Sequence, residues 1–269
     1  MFKQRLISGI ILVIIAFVTL YYGGFLTFGV VAAISLIGDY ELLRVIRQEK
    51  SALAVASYTA GILYYVLLLL ELGRFILPLV LLFLVVLLAI YVFTFPRYEI
   101  SHVAISFFGL FYVIIMLSYI YQIRMLDNGG FKVTLLFLAA WGNDTLAYCA
   151  GRLFGKHKMS PVLSPKKTIE GAVGGVVGAG LLGALYGLIC NYFITETFNM
   201  VLGFALLCAV GGLISIIGDL AASAIKRNYD VKDYGTLIPG HGGILDRFDS
   251  IIIIAPIIYY LLTMVIAIG

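Results

Sequence analysis

Residues 219–249 read DLAASAIKRNYDVKDYGTLIPGHGGILDRFD, and this stretch decides what kind of chain carries it. Its 31 positions hold nine charged side chains: Asp219, Lys226, Arg227, Asp230, Lys232, Asp233, Asp246, Arg247 and Asp249. The whole chain, by contrast, is 62% hydrophobic and only 12% charged. Apolar runs long enough to cross a bilayer lead into the stretch and out of it, and a spanning helix needs about 20 such residues. The loop Pro239-Gly240-His241-Gly242-Gly243 in between cannot belong to a span. Ionisable groups at a membrane boundary are costly, so a cluster of them marks a functional site by default.

Outward from there, the remainder looks like scaffold or a second wall. A mean hydropathy of +1.09 over 269 residues excludes an ordinary soluble protein. The apolar runs are continuous rather than alternating, which excludes a β-barrel and predicts an all-α, polytopic integral membrane protein. Nine spans are expected, near 6–22, 25–43, 53–72, 76–95, 101–123, 133–154, 169–193, 198–226 and 248–268. Gly23-Gly24, Pro78, Pro96, Asn128-Gly129-Gly130 and the 161–165 stretch punctuate them. The first run follows Lys3 and Arg5 without a small-residue cleavage site, and is read as an uncleaved helix. Cys149, Cys190 and Cys208 lie inside apolar runs and are read as small core residues. Residues 1–130 are bland and read as lipid-facing scaffold; 131–269 carry the motifs.

The distribution of positive charge orients the chain. Fifteen of the 18 Lys and Arg fall at the N-terminus or in the loops after the second, fourth, sixth and eighth spans. Only Arg74, Arg124 and Lys132 lie on the opposite side. The positive-inside rule then puts the first set in the cytoplasm, with the N-terminus inside and the C-terminus outside. The basic loops 152–168 and 227–247 would share the cytoplasmic face of the cell (inner) membrane.

Four groups of residues carry chemistry. Ser215, Asp219, Ser223 and Lys226 form one polar stripe on the eighth span. Asp219 would hold a cation or face a polar cavity; the alternative is an ion pair with Lys167 or Arg247. In the loop, Gly240, Gly242 and Gly243 would let backbone N–H groups approach phosphate oxygens, and Asp246 and Asp249 share a helical face. Helix capping is the plainer use of those two acids. Such oxygen ligands suit Mg²⁺, which is held by one or two carboxylates together with substrate phosphates. In Ser164-Pro165-Lys166-Lys167-Thr168-Ile169-Glu170-Gly171, Thr168 is expected to cap the seventh helix behind two lysines, a phosphate site in outline. Contact with anionic lipid headgroups is the competing use. Asp144, after Asn143, stands inside the sixth span. The seventh span carries Gly171, Gly174, Gly175, Gly178, Gly180, Gly183 and Gly187, suited to close packing within the chain or to a homodimer face.

The run Ser223-Ala-Ile-Lys226-Arg227, Lys232-Asp233, then Pro239-Gly-His241-Gly-Gly-Ile-Leu-Asp246-Arg247-Phe-Asp249 resembles the C-terminal signature of the phosphatidate cytidylyltransferases, or CDP-diacylglycerol synthases. Asn143-Asp144 and Ser-Pro-Lys-Lys-Thr-Ile-Glu-Gly also resemble motifs of that family. The detailed likeness covers 140–250. It implies transfer of a cytidylyl group from CTP to phosphatidic acid, giving CDP-diacylglycerol and pyrophosphate, with Mg²⁺ as cofactor. One or two divalent ions would serve, a monovalent ion being an alternative at one site. No nucleic acid partner is expected.

On that resemblance, Asp219 and Asp246 are assigned to metal, supported by Asp249 and Asp144. Lys166, Lys167, Lys226 and Arg247 would neutralise phosphates, and Ser223 would donate a hydrogen bond. The nucleophile, a phosphate monoester with a second pKa of about 6, is already largely ionised at neutral pH, so no strong base is required. His241 is therefore assigned to loop geometry or a phosphate hydrogen bond. Two rivals remain: a CTP-dependent lipid or polyprenol kinase, and an ion-coupled transporter, whose broken helices and intramembrane acids look similar. The spaced aspartates of the CDP-alcohol phosphotransferases are absent.

Overall fold

The computed structural model describes residues 2–268, with side chains from 7 onward except 265, 267 and 268. Lys3 and Arg5 of the charge tally lie outside the described side chains. Contacts divide the chain into two compact units: 1–19, 25–118 and 229–247 form one, and 20–24, 119–228 and 248–269 the other.

The first unit contains α1 (Phe2–Tyr22) up to Thr19, α2 (Gly24–Val45), α3 (Ala52–Leu69), α4 (Ile76–Phe93) and α5 (Ile100–Phe108). α5 continues through a π-helical turn, Gly109–Ile115, into α6 (Met116–Arg124). Ser51 caps α3 by accepting the Ala54 N–H at 3.1 Å. Polar side chains pair between helices, as expected where water is absent. Ser57 donates to Asp39 at 2.7 Å, Ser35 meets Tyr65 at 2.7 Å, and Tyr64 meets Ser118 at 2.7 Å. α4 buries little beyond Phe83 and Leu87 and leaves Leu77, Leu81, Leu82 and Val85 exposed. An exposed apolar surface of this kind marks contact with lipid or a partner rather than water.

In the second unit, α7 (Gly129–Phe137) runs through a π-helical turn, Leu138–Gly142, into α8 (Asn143–Phe154). A short antiparallel hairpin follows, β1 (Lys158–Ser160) and β2 (Ser164–Thr168), pairing Lys158 with Thr168 and Ser160 with Ser164. Then come α9 (Ile169–Cys190), α10 (Met200–Asn228) and, from Phe248 on, α11 (Leu245–Ile268). α9 is sandwiched between α8 and α10, and its glycines are the reason it fits. A Cβ at Gly171, Gly174, Gly175 or Gly178 would press on α8, and one at Gly183 or Gly187 would press on the α10 backbone. The glycine stripe expected from sequence is thus used for packing within the chain. At one end of this unit Lys132, fully buried, pairs with Glu196 at 2.8 Å and donates to the Asp127 carbonyl at 2.7 Å.

Seven helices among the described residues are long and apolar enough to cross a membrane. The other two of the nine expected spans are 6–22 and 133–154. Of the first, Ile7–Tyr22 forms a shorter apolar helix. The second is broken by the π-helical turn and ends in the polar α8, where Asn143, Asp144 and Arg152 interrupt the apolar run. The chain is an integral membrane protein of α-helices.

Candidate active site

The principal cavity of the second unit, about 680 Å³, is walled by α8, the hairpin, α9 and α10. Asp144 and Asn143 come from α8, Asp219 and Ile216 from α10, and Lys158, Lys166 and Lys167 from the hairpin. Local rules put them there. Thr168 caps α9 as the sequence predicts, its Oγ1 accepting the Gly171 N–H at 3.1 Å. Glu170 reaches back to accept the Lys156 N–H at 3.1 Å, and meets His157 Nδ1 at 2.5 Å. These two contacts fold the basic segment back over the helix N-terminus as a hairpin. A fixed pair of strands was not legible in a stretch that reads simply as a basic loop.

Asp219 forms an ion pair with Lys167, each about a quarter exposed. This is the alternative weighed from sequence, and it ties α10 to β2 across the cavity. Beside Asp144, Asn143 is buried and donates to Ser215 Oγ at 2.9 Å, while Ser215 donates to the Gly212 carbonyl at 2.7 Å. Asn143 and Ser215 therefore set the spacing of α8 and α10. Asp249, half-buried on α11, lies within the electrostatic reach of Asp219, Asp144 and Lys226. Its Oδ1 accepts the Ser250 N–H at 2.8 Å. Ser223, one helical turn beyond Asp219 on α10, is half-buried.

The remaining candidates belong to the first unit. Lys232, Asp233, Gly240, His241, Gly242 and Arg247 line a second cavity of about 490 Å³. Gly240 and Gly242 have positive φ, 78° and 85°, a conformation that favours glycine. Ser8 of α1 donates to the Pro239 carbonyl at 3.0 Å and meets His241 Nδ1 at 2.8 Å, so His241 helps to hold its own loop. Asp246 is buried, and its Oδ2 accepts the N–H groups of Tyr234 at 2.8 Å and Gly243 at 2.9 Å. The Gly243 N–H, expected to face phosphate, is committed to Asp246. Glu41 of α2 accepts the N–H groups of Ile244 and Leu245. It was missed in the sequence, where it stands between Asp39 and Arg44 and nothing pointed to a partner about 200 residues away.

Asp144, Asp219 and Asp249 present oxygen donors alone, drawn from three helices. Among the described residues, no three His, Cys, Asp or Glu side chains form a closed ligand cluster. This donor chemistry fits Mg²⁺, which retains waters and is completed by substrate phosphates instead of an all-protein cage.

Residues 3–265 match the family model described as the cytidylyltransferase family. The chain is 34% identical over 285 residues to a phosphatidate cytidylyltransferase of Bacillus subtilis, covering 97% of this chain and 98% of that protein. It is 39% identical over 167 residues to the Staphylococcus saprophyticus phosphatidate cytidylyltransferase, covering 62% of this chain and 61% of that one. A third relative, the phosphatidate cytidylyltransferase of Rickettsia felis, is 39% identical over 155 residues, 57% of this chain and 68% of its own. The resemblance carried by the Asp219–Asp249 motif thus extends over nearly the whole sequence, and the chain belongs to the cytidylyltransferase family, as a nucleotidyltransferase.

Proposed function

We propose that the protein transfers the cytidylyl group of CTP to phosphatidic acid, with the reacting groups at the cytoplasmic boundary of the membrane. The observation that carries this reading is the cavity where Asp144 and Asp219 face Lys166 and Lys167. Carboxylates opposite lysines suit a metal–triphosphate substrate, and about 680 Å³ lies within the usual ligand-pocket range of about 300–1,000 Å³. The three relatives bear the name of this activity.

The lipid phosphate supplies an anionic oxygen that attacks the α-phosphorus of CTP. The bond from the α-phosphorus to the bridging oxygen breaks, and pyrophosphate departs with the electron pair. Both reactants are anions, so the main demand on the protein is charge neutralisation. Lys166 and Lys167 face the triphosphate. Lys226 and Arg247 neutralise phosphates on substrate and leaving group, and Ser223 donates a hydrogen bond. Asp219, with Asp144 and Asp249, would hold Mg²⁺, and Asp246 keeps the part in metal binding that the sequence motif implies. The ion, when bound, withdraws electron density from the phosphoryl oxygens. The Lys167–Asp219 ion pair is exchangeable in this scheme: with substrate bound, Lys167 would turn to phosphate, leaving Asp219 as a residue that would hold the cation. His241 maintains its loop and takes no proton.

Membership of an enzyme family sets the transporter aside. The CTP-dependent kinase is separated by label: α-phosphate label reaches the lipid in nucleotidyl transfer, and γ-phosphate label in the kinase reaction. The decisive assay incubates purified protein with phosphatidic acid, labelled CTP and Mg²⁺, with EDTA as control. Asp219→Asn and Asp246→Asn are each expected to abolish CDP-diacylglycerol formation. Near-normal Mg²⁺-dependent activity in both would sink the metal assignment.

A further inference from the structure

Glu41 lies on α2, about 200 residues before the glycine loop, and is 3% exposed. Its carboxylate bridges two successive backbone groups: Oε1 accepts the Ile244 N–H at 3.0 Å and Oε2 the Leu245 N–H at 2.9 Å. These are the N–H groups at the start of α11, which begins at Leu245. The opening N–H groups of a helix have no partner inside it. Here an acid from another helix takes them and places negative charge at the positive end of the helix dipole. Two glycines make the approach possible, since a Cβ at Gly235 or Gly243 would fall on the Glu41 carboxylate. Asp246 is the next residue along, and its own Oδ2 holds Tyr234 and Gly243. Glu41 and Asp246 are also close enough to feel each other's charge.

We propose that Glu41 is a positioning residue for nucleotidyl transfer: it fixes where α11 starts, and so where the Asp246 carboxylate points. This rests on the assignment of Asp246 under the proposed function. A general structural acid would weaken the protein in proportion to its hydrogen bonds. A positioning acid acts on turnover and metal dependence out of proportion to stability. Loss of partners that orient a metal ligand typically lowers affinity or activity about 10- to 100-fold.

The test uses the full-length detergent-purified protein and compares Glu41→Gln with Ser35→Ala. Gln keeps the shape, yet turns an NH₂ donor toward one of the two N–H groups. Ser35→Ala removes a buried 2.7 Å hydrogen bond to Tyr65 from the same helix, away from the loop. Glu41→Gln is expected to lower kcat about 10- to 100-fold, raise the Mg²⁺ concentration giving half-maximal rate, and speed hydrogen exchange over 234–246. Ser35→Ala is expected to melt as low or lower while keeping wild-type kcat. If Glu41→Gln does not fold, Gly235→Ala, whose Cβ presses on the same carboxylate, takes its place in the comparison. Unchanged kcat and Mg²⁺ dependence in Glu41→Gln overturn the proposal, as does an equal loss in Ser35→Ala at equal melting temperature. A wild-type protein that forms no CDP-diacylglycerol overturns the underlying function instead, and the positioning role with it.

Discussion

Gly175→Ala adds one methyl group where α9 meets α8, next to the residue pair that carries Asp144. Built on the present backbone, the new Cβ stands 2.6 Å from Asn143 Oδ1, 2.8 Å from Ala147 Cβ and 2.9 Å from the Asn143 carbonyl oxygen. The carbonyl is backbone and cannot rotate away. Ordinary contact begins at 3.4 Å, so α8 must retreat by roughly half an ångström or more. Overpacking of this kind costs about 1–3 kcal/mol, against a helix-propensity gain of about 0.5–1 kcal/mol for replacing glycine by alanine. The net is a destabilisation of about 1–2 kcal/mol, or several degrees in melting temperature for a chain of this size. Gly180, on the same helix, gives the opposite sign. Its added Cβ would meet Ala205 O and Ala209 Cβ at 3.4 Å, ordinary contact, so the propensity gain survives. The assay is thermal denaturation of the detergent-purified variants by fluorescence-detected size exclusion, with CTP turnover measured in parallel. Moving Asp144 by half an ångström is expected to lower turnover by about tenfold or more, since a displacement near 1 Å costs about 100-fold. A Gly175→Ala protein as stable and active as Gly180→Ala would refute the close packing of α8 on α9 as the device that sets the cavity.

Three other outcomes follow from the same geometry. Lys167→Met is expected to cut kcat/KM for CTP about 100-fold while shifting stability by less than about 1 kcal/mol, because a partly exposed ion pair contributes little; steady-state kinetics beside a melting curve checks both. Lys132→Met leaves Glu196 buried beside Asn128 without its cation, and is expected to destabilise by about 3–5 kcal/mol with KM for CTP unchanged; unaltered melting would show that the pair bears no load. Gly243→Ala drives a Cβ into the Glu41 carboxylate and is expected to destabilise by about 1–3 kcal/mol, whereas Gly73→Ala, with nothing within 4 Å, is expected to be neutral in the same denaturation assay.

Much of the fold was legible because its signals are local. Hydropathy runs identified helices, and Thr168 was readable as a cap from its place before an apolar helix. The glycine spacing of α9 announced close packing, although the choice of α8 and α10 as partners depends on surfaces distant in sequence. The π-helical turn before Asn143 left no such trace. It is an extra residue absorbed into a helix, and periodicity over a short window is nearly blind to it. Lys166 and Lys167 were visible as candidate phosphate ligands, but their strand conformation comes from Glu170 folding the chain back through His157. Glu41 was invisible for a different reason. Its charged neighbours in sequence, Asp39 and Arg44, say nothing of its two hydrogen bonds, which cross about 200 residues.

By itself the sequence determined that this is a helical membrane protein, and it marked which charged residues are candidates for chemistry. Lipid tolerates an ionisable group only where it has a use, so charge stands out against an apolar background. The motif 219–249 also carried the family, because the residues that resemble its signature are written close together there. What the tertiary structure decided is how those residues are employed. Lys167 is paired with Asp219 across a cavity, Asp246 spends one carboxylate oxygen on its own loop, and Glu41 anchors the start of α11. Each depends on where a helix stops and what lies opposite, and close packing fixes that only once every other helix is in place.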